Sequence, residues 1–222
     1  MCGRYTVTPP AAALEARFEA SFAESPAPPT YNAAPSQRLP VILNTDPGRI
    51  RLVQWGLVPG WVRDLQKAPR PINARAETLS EKPSFRTLLQ RRRALVLADS
   101  FYEWQATDHG KVPHRILLAS EEPFAFAGLW DEWLDRETGE VKPTFTIITT
   151  APNSLMAPIH NRMPVLLPDR AAELAWLDDA VGAAAHQQLL QPHTARTMRE
   201  YVVSPLVNSP AHNDPSVLVP AA

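Results

Sequence analysis

The sequence predicts a single α+β domain built on a strongly bent, barrel-like, mainly antiparallel sheet that is flanked by a few helices. Three observations lead to this fold class. Many short apolar runs are bounded by proline, glycine or charged residues, which is typical of strands. Only a few segments have helical periodicity. Residues 1–222 contain no internal repeat and no linker that would divide them, so we expect one domain.

The first helix is predicted to begin at Thr8, an N-cap residue that precedes Pro9. Apolar side chains then recur every four positions, at Leu14, Phe18 and Phe22. This spacing predicts an amphipathic helix that ends near Phe22.

Strands and further helices follow a proline-rich irregular segment at residues 24–36. The predicted strands cover residues 39–43, 50–55, 94–98, 101–104, 115–119, 124–130, 144–149 and 199–204. The predicted helices cover residues 85–93, led by Ser84, and then residues 170–177 and 180–190. Residues 209–222 are punctuated by proline and are expected to form a C-terminal tail.

The composition excludes several classes of protein. With 45% apolar and 20% charged residues, the chain is too apolar to be disordered. It has no apolar run of about eighteen residues, and its start, MCGRYTVTPP, lacks the basic and apolar segments of a secretory leader. A single cysteine excludes an intramolecular disulfide and favours a reducing, cytoplasmic location.

The charges are distributed unevenly along the chain. Residues 1–93 carry 14 basic and 7 acidic side chains, whereas residues 94–222 carry 8 basic and 16 acidic ones. Of the 22 basic residues, 18 are arginine, whose guanidinium group suits bidentate contacts with phosphate. The pattern is compatible with nucleic-acid binding, but a biased genome composition explains it equally well.

Cys2 is the first candidate for chemistry, because removal of Met1 would leave it at the N-terminus. It would then carry an α-amine and a thiol on adjacent carbons. An α-amine titrates near 7.7–8.0, so roughly a tenth is free base at neutral pH. It can form an imine with an aldehyde, and the sulfur can close a five-membered thiazolidine on the same carbon. An accidental cysteine at this position is the alternative.

Three short segments combine several polar groups that are suited to catalysis. Residues 71–77 place Asn73, Arg75 and Glu77 on alternating positions, which share one face of an extended chain. Glu103 lies within the aromatic run 101–104, where burial would raise its pKa and suit it to acid–base work. His160 lies in a proline-bounded turn. Taken singly, each segment has an ordinary structural explanation.

Two tryptophans, Trp55 and Trp61, flank a Gly/Pro loop beside arginines, and could stack on bases or form a core corner. Other site types are disfavoured. No GxGxxG, Walker or GxSxG motif occurs, and the six histidines show neither HxH nor HExxH spacing. We therefore expect no metal and no cofactor, which leaves covalent chemistry at Cys2.

Six motifs, taken in order, resemble the SOS response-associated peptidase (SRAP) family of abasic-site processing proteins. They are Met1-Cys2-Gly3-Arg4-Tyr5, Tyr31-Asn32-Ala33-Ala34-Pro35, Trp55-Gly56-Leu57-Val58-Pro59, Asn73-Ala74-Arg75-Ala76-Glu77-Thr78, Phe101-Tyr102-Glu103-Trp104 and His160-Asn161-Arg162-Met163-Pro164. The segment from Tyr201 to Asn208 also fits. The likeness covers nearly the whole chain.

The resemblance implies that Cys2 forms a thiazolidine with the ring-opened aldehyde of an abasic site in single-stranded DNA. It implies that Asn73 positions the adduct and that Glu103 and His160 transfer protons. It also implies β-elimination as a secondary lyase activity and autoproteolytic removal of Met1. The DNA-binding residues that it implies are Gly3, Arg4, Trp55, Trp61, Arg75, Arg162 and Met163.

Two other functions stay open from the residues. Cys2, His160 and Glu103 could form the triad of a thiol peptidase, or the chain could be a non-catalytic single-stranded DNA-binding module. We expect a monomer that associates with the nucleoid during DNA damage and does not bind membranes.

Overall fold

The computed structural model describes residues 2–221. Its strands are β1 (Arg4–Val7), β2 (Ser21–Phe22), β3 (Thr30–Ala33), β4 (Arg38–Leu43), β5 (Arg49–Trp55), β6 (Asn73–Arg75), β7 (Arg93–Ala98), β8 (Ser100–Thr107), β9 (Gly110–Leu118), β10 (Phe124–Leu134), β11 (Val141–Thr150), β12 (Met163–Pro164) and β13 (Met198–Val202). Its α-helices are α1 (Ala11–Phe18), α2 (Pro83–Arg91), α3 (Arg170–Leu177) and α4 (Ala183–Gln188). The predicted α+β class is confirmed.

Five strands close into a ring, which is the barrel-like part of the fold. In the order β11, β10, β7, β4 and β5 each strand pairs antiparallel with the next, and a parallel β5–β11 pairing closes the circle. Gly128 of β10 is needed inside this ring. A Cβ atom there would lie 2.9 Å from the Val96 side chain and 3.1 Å from the Thr146 carbonyl oxygen.

Aromatic side chains fill the core of the ring. Tyr5 packs edge-on against Trp55 with ring centroids 5.2 Å apart, and Trp55 stacks on Phe145 at 6.3 Å. Tyr5 also meets Phe126 at 5.7 Å. Burying a ring of this size stabilises the fold by about 1.5–3 kcal/mol. Because Tyr5 belongs to β1, these contacts hold the N-terminal strand against the ring.

The second sheet is antiparallel and has the order β13-β9-β8-β1-β3. Only Asp99 separates β7 from β8, so the chain passes directly from the ring into this sheet. The Asp99 carboxylate accepts hydrogen bonds from the Thr8 backbone N–H at 2.8 Å and from the Thr8 hydroxyl at 2.9 Å. The end of β1 is therefore tied to the junction between the two sheets.

The first helix differs from its prediction at both ends. Thr8 bonds to Asp99 instead of capping a helix, and the helix begins at Ala11 after Pro10. It ends at Phe18, because Glu19 turns into the left-handed region with φ 51°. Residues 21–22 then form β2, which pairs with β5. The four-residue apolar spacing continued to Phe22 because α1 and β2 both pack apolar side chains against the same core.

Several other elements also differ from the predictions, either at a boundary or because no strand was predicted there. Arg93 begins β7 rather than ending a helix, and its buried guanidinium donates to the Trp176 carbonyl at 2.7 Å. The segment predicted as irregular contains β3, and β1 was not predicted at all. Both strands are four residues long, and neither has the continuous apolar run that marked the other strands.

The segment after β13, residues 203–221, is packed against the second sheet and is called the C-terminal tail from here on. Buried Val207 and Val217 lie in short 3₁₀ turns and pack with Tyr102. The buried Asn32 side-chain amide donates to three tail carbonyl oxygens at 2.9–3.1 Å, those of Val207, Ser209 and His212. One asparagine therefore supports the whole turn of chain that runs beside β1.

Candidate active site

Cys2 lies just before β1, at the seam between the two sheets, and is completely buried. Burial raises the pKa of its thiol above the usual range, and the nearby negative charge of Glu103 raises it further. Its Sγ–H makes a long contact of 3.8 Å with the Arg4 carbonyl oxygen. The thiol is therefore held protonated at neutral pH and needs a base in order to react.

Asn73 is brought to Cys2 by β6, which pairs with β11 at the mouth of the ring. Its side-chain Nδ2 donates to the Cys2 carbonyl oxygen at 2.8 Å. Its Oδ1 is buried and accepts no hydrogen bond from any residue that the structure describes. Asn73 thus holds the Cys2 backbone with one end of its amide and offers an acceptor with the other.

The register of β6 separates the polar residues of the 71–77 segment. Asn73 and Arg75 lie two positions apart in the strand and share a face, as expected, and Arg75 is exposed. The strand ends there, and residues 76–78 form a 3₁₀ turn that carries Glu77. Glu77 therefore does not continue the row and reaches a different partner.

Glu103 lies on β8, the neighbour of β1. The pairs Arg4–Tyr102 and Tyr5–Phe101 set the register, so Glu103 lies beside the start of β1 and close to Cys2. Only 2% of Glu103 is exposed, and this burial raises the pKa of its carboxyl group. This direction of the pKa shift agrees with the expectation from sequence. The neighbouring aromatic side chains do not all lie on one side, because successive residues of β8 point to opposite faces of the sheet. Phe101 faces the ring core, whereas Tyr102 faces the C-terminal tail.

His160 ends a loop whose position is set by hydrogen bonds. The Gln105 side chain on β8 donates to the Pro158 carbonyl at 3.1 Å, which ties the loop to the strand that carries Glu103. The Arg162 backbone N–H donates to His160 Nδ1 at 3.0 Å. In this contact Nδ1 is the acceptor, so Nε2 is the ring nitrogen that carries a proton.

Glu103 and His160 face one pocket of about 360 Å³. Burial raises the pKa of Glu103, and the electrostatic interaction with His160 acts in the opposite direction. Among residues 2–221, the lining residues are Glu103, Trp104, Lys111, His160 and Asn208. The fold thus brings together two groups that are 57 positions apart in the sequence, and one of them, Glu103, lies close to buried Cys2.

Trp104, Lys111 and Asn208 were not among the site residues predicted from sequence. Trp104 Nε1 donates to Asn208 Oδ1 at 2.7 Å, so the C-terminal tail supplies one wall of the pocket. Trp104 was visible in the aromatic run, but nothing local marks Lys111 or Asn208. Only the docking of the tail and of the β8–β9 hairpin places them here.

Arg162 is engaged by protein groups. Its guanidinium forms a bidentate pair with Glu77, at 2.7 and 2.9 Å, and also donates to the Thr149 carbonyl oxygen at 2.5 Å. This pairing lowers the pKa of Glu77. The neighbouring Met163 differs from the expectation of a DNA contact. It is fully buried on β12, so it packs in the core.

Arg4 is also held within the protein, next to half-buried Gly3. Its guanidinium donates to Asn32 Oδ1 at 2.8 Å and to the carbonyl oxygens of Val207 and Asn208 at 2.9 and 3.1 Å. These bonds fasten the tail that carries Asn208 to the strand that follows Cys2. In this structure Arg4 positions the pocket wall.

The two tryptophans of the Gly/Pro loop have opposite environments. Trp55 is 1% exposed and donates from Nε1 to the Ile72 carbonyl at 2.9 Å, so its ring offers no face to a base and the expected DNA contact is corrected to a core role. Trp61 is 69% exposed. Of this pair, Trp61 alone can stack on an incoming ring.

Two absences concern residues 2–221. No group of three or more His, Cys, Asp or Glu side chains in this range is arranged to hold a metal ion. None of the helices in this range is long and apolar enough to cross a membrane.

Comparison with known proteins gives consistent relatives. Residues 1–210 match the family described as SOS response associated peptidase (SRAP). The abasic site processing protein YoqW of Bacillus subtilis is 45% identical over 223 residues, which cover 98% of this chain and 99% of YoqW. The abasic site processing protein HMCES of Gallus gallus is 33% identical over 224 residues, which cover 86% of this chain and 66% of HMCES.

Solved structures of other proteins share the fold of this chain. The crystal structure of a protein from Bacteroides thetaiotaomicron has a TM-score of 0.91 and 33% identity, and the match covers 100% of both chains. A phage-related protein from Bordetella bronchiseptica has a TM-score of 0.71 and 28% identity. The family match over residues 1–210 and the 45% identity to YoqW lead to one assignment: the chain belongs to the SOS response associated peptidase (SRAP) family.

Proposed function

We propose that this chain is an abasic-site processing protein that binds single-stranded DNA and captures the ring-opened aldehyde covalently through Cys2. The observation that carries the proposal is the convergence of Cys2, Asn73, Glu103 and His160 at the start of β1. The names of the relatives YoqW and HMCES, both abasic site processing proteins, support the substrate.

The reaction needs a free α-amine on Cys2 and therefore the removal of Met1, which lies outside the described residues. We assign this removal to the chain itself, as the peptidase of the family description suggests. Hydrolysis of the Met1–Cys2 peptide bond consumes one water and leaves the Cys2 nitrogen as an amine. The Asn73 contact with the Cys2 carbonyl holds this residue in place before and after the cleavage.

Capture begins with the opening of the sugar ring: His160 donates its Nε2 proton to the ring oxygen as the bond between that oxygen and C1 breaks, and the C1 hydroxyl gives up its proton to restore His160, which leaves the aldehyde. The Cys2 amine adds to the aldehyde carbon, and loss of water leaves an imine. Sγ then forms a bond to the same carbon while its proton moves, through Glu103, to the imine nitrogen. The product is a thiazolidine. A buried carboxyl with a raised pKa suits this two-way proton transfer.

The imine also explains a secondary lyase activity. If a base removes the proton from the sugar carbon next to the imine before sulfur closes the ring, the bond from the following carbon to its phosphate oxygen breaks and the strand is cleaved. Ring closure by Sγ competes with this β-elimination. The buried position of Sγ, next to the carbon that its own amine attacks, favours closure.

DNA binding is assigned to exposed groups around this site. Arg75 lies on the same strand face as Asn73, and Trp61 offers a stacking surface in the loop after β5. The Arg162 guanidinium, already paired with Glu77 and Thr149, is oriented to add a phosphate contact. We expect a monomer that acts on DNA in the cytoplasm, without a metal or a cofactor.

A thiol peptidase acting on other proteins has less support. In such a triad the carboxylate orients His through Nδ1 and the thiolate is stabilised. Here His160 Nδ1 accepts the Arg162 N–H, and both burial and Glu103 raise the pKa of the Cys2 thiol. A passive DNA-binding module leaves the convergence of four reactive groups unexplained.

The test is denaturing electrophoresis of the protein with a single-stranded oligonucleotide that contains one abasic site. We expect an adduct that survives denaturation, and no adduct with Cys2→Ala or after selective acylation of the α-amine. If the chain were a thiol peptidase, its activity would be unaffected by acylation of the α-amine. If it were a binding module, the wild type and Cys2→Ala would show the same DNA retention on the gel. Either result would overturn the proposal.

A further inference from the structure

Behind Glu103 lies a second histidine that the proposed chemistry does not use. His114 on β9 is the direct cross-strand partner of Glu103 on β8. Directly opposed residues of an antiparallel pair have Cβ atoms about 5 Å apart and side chains on the same face of the sheet. Only 7% of His114 and 2% of Glu103 are exposed. The two side chains are therefore buried neighbours.

Glu200 on β13 holds His114 from the opposite side. Strand β9 lies between β8 and β13, and the Glu200 carboxylate is 2.6 Å from His114 Nδ1. Because a carboxylate only accepts, Nδ1 carries the proton in this contact. The neutral ring then has its lone pair on Nε2. The orientation of the ring is thus fixed by one short hydrogen bond.

The second ring nitrogen of His114 is directed away from Glu200. Since the two nitrogens of an imidazole point in nearly opposite directions, Nε2 points away from β13, toward the side of β9 where β8 lies. His114 Nε2 is buried and has no hydrogen-bond partner among residues 2–221. A buried polar atom without a partner costs stability, so its presence here needs an explanation.

We infer that His114, oriented by Glu200, is a positioning residue that holds the Glu103 carboxyl group toward Cys2 and His160. This inference rests on the proposed function and extends it to the second sheet. The ring limits the rotamers open to Glu103 and places a polar edge behind its carboxyl group. The Glu103 carboxyl is then surrounded by Cys2 before β1, His160 in its loop, Lys111 in the pocket and His114 behind.

The effect of His114 is expected on rate and not on DNA affinity. His114→Phe keeps a buried ring and removes both nitrogens. Misplacement of a reacting group by a fraction of an ångström lowers a rate substantially, so we expect crosslinking to slow about tenfold with unchanged affinity for the oligonucleotide. Glu200→Ala is expected to slow crosslinking in the same direction. His114→Gln, which returns a polar group of similar reach, is expected to recover part of the loss.

The decisive experiment is a double-mutant cycle measured by single-turnover crosslinking to an abasic oligonucleotide. If His114 acts through Glu103, His114→Phe slows the wild-type background but has no further effect in Glu103→Gln. Equal slowing in both backgrounds, or no slowing in either, overturns the inference. Tyr201→Phe is the matched control. It removes the 2.6 Å hydrogen bond that Tyr201 on β13 accepts from Arg115 on β9, and it does not involve His114.

Thermal unfolding of each variant distinguishes a loss of positioning from a loss of fold. A rate loss that appears only in variants that unfold counts against positioning. A rate loss that His114→Gln fails to reduce also counts against it. If wild-type protein forms no adduct at all, the proposed function fails. If wild type reacts and the cycle is additive, only the His114 inference fails.

Discussion

The Asn73 side chain donates a 2.8 Å hydrogen bond to the backbone carbonyl of Cys2, across 71 positions of sequence. This contact joins β6, which pairs with ring strand β11, to the chain just before β1 of the second sheet. It fixes the backbone of Cys2 and not its sulfur. Cys2 can therefore change its bonding at Sγ and at its nitrogen while its carbonyl stays anchored.

Cys2→Ser is expected to separate imine chemistry from ring closure. Serine keeps the α-amine, but its oxygen analogue of the thiazolidine is much less stable. Denaturing gels should show loss of the stable adduct and survival of some strand cleavage. An undiminished, heat-stable adduct with Cys2→Ser would show that sulfur does not form the product.

Glu103→Gln and His160→Ala are expected to slow adduct formation or its reversal by about a hundred- to ten-thousandfold, the usual contribution of a general acid or base. Affinity for DNA should change little, since both groups line the pocket and act on protons. Single-turnover kinetics from pH 5 to 9 measure the effect. Unmodified rates in both variants throughout this range would make the two residues structural.

Glu103→Gln is also expected to change the pH dependence of stability. Burial raises the pKa of Glu103 in the folded state, so the folded protein retains a proton that the unfolded chain loses near pH 4.3. As pH rises through this range the wild type loses stability, whereas glutamine does not titrate. Denaturant unfolding should show Glu103→Gln more stable than wild type at pH 7 and the difference vanishing below pH 4. A constant difference would contradict the raised pKa.

Arg75→Ala and Arg4→Ala are expected to differ. Exposed Arg75 should contribute about 0.7 to the log–log salt slope of single-stranded DNA binding, so its loss flattens the slope. Arg4 donates to Asn32 and to the tail, so its loss should lower the unfolding temperature and disturb the pocket wall at Asn208. Salt titrations and thermal melts of both variants are the measurements. A flattened slope for Arg4→Ala with an unchanged melt would assign Arg4 to phosphate.

Trp61→Ala and Trp55→Ala are expected to separate binding from stability. Loss of one base-stacking ring weakens single-stranded DNA binding by about 1–3 kcal/mol, so Trp61→Ala should lower affinity and leave the melting temperature unchanged. Removing the buried Trp55 ring should destabilise the fold by about 3–5 kcal/mol. Fluorescence anisotropy and denaturant unfolding test the pair. Unchanged affinity in Trp61→Ala would move the DNA path away from this loop.

Local sequence patterns were sufficient for the fold class and for most elements. Apolar runs bounded by proline or charge predicted β4, β5, β7, β10 and β11, which form the closed ring. Helix α3 was predicted with its observed bounds, because Asp169 caps it and its apolar spacing is regular. The positions of these elements depend on neighbours a few residues away, and a single sequence contains that information. Cys2, Asn73, Glu103 and His160 were singled out together only through the resemblance of six ordered motifs to a known family.

The remaining features were decided by contacts between distant parts of the chain. The closure of β5 onto β11 buried Trp55, and the same sheet edge buried Met163 on β12. The docking of the tail drew the Arg4 guanidinium onto the Val207 carbonyl.

The pairing of three strands placed His114 between Glu103 and Glu200. Residues 1–222 specify all of these contacts, but no local pattern shows them. Burial and hydrogen-bond partners follow from which strands become neighbours, and that is settled only when the ring closes and the tail packs beside β1.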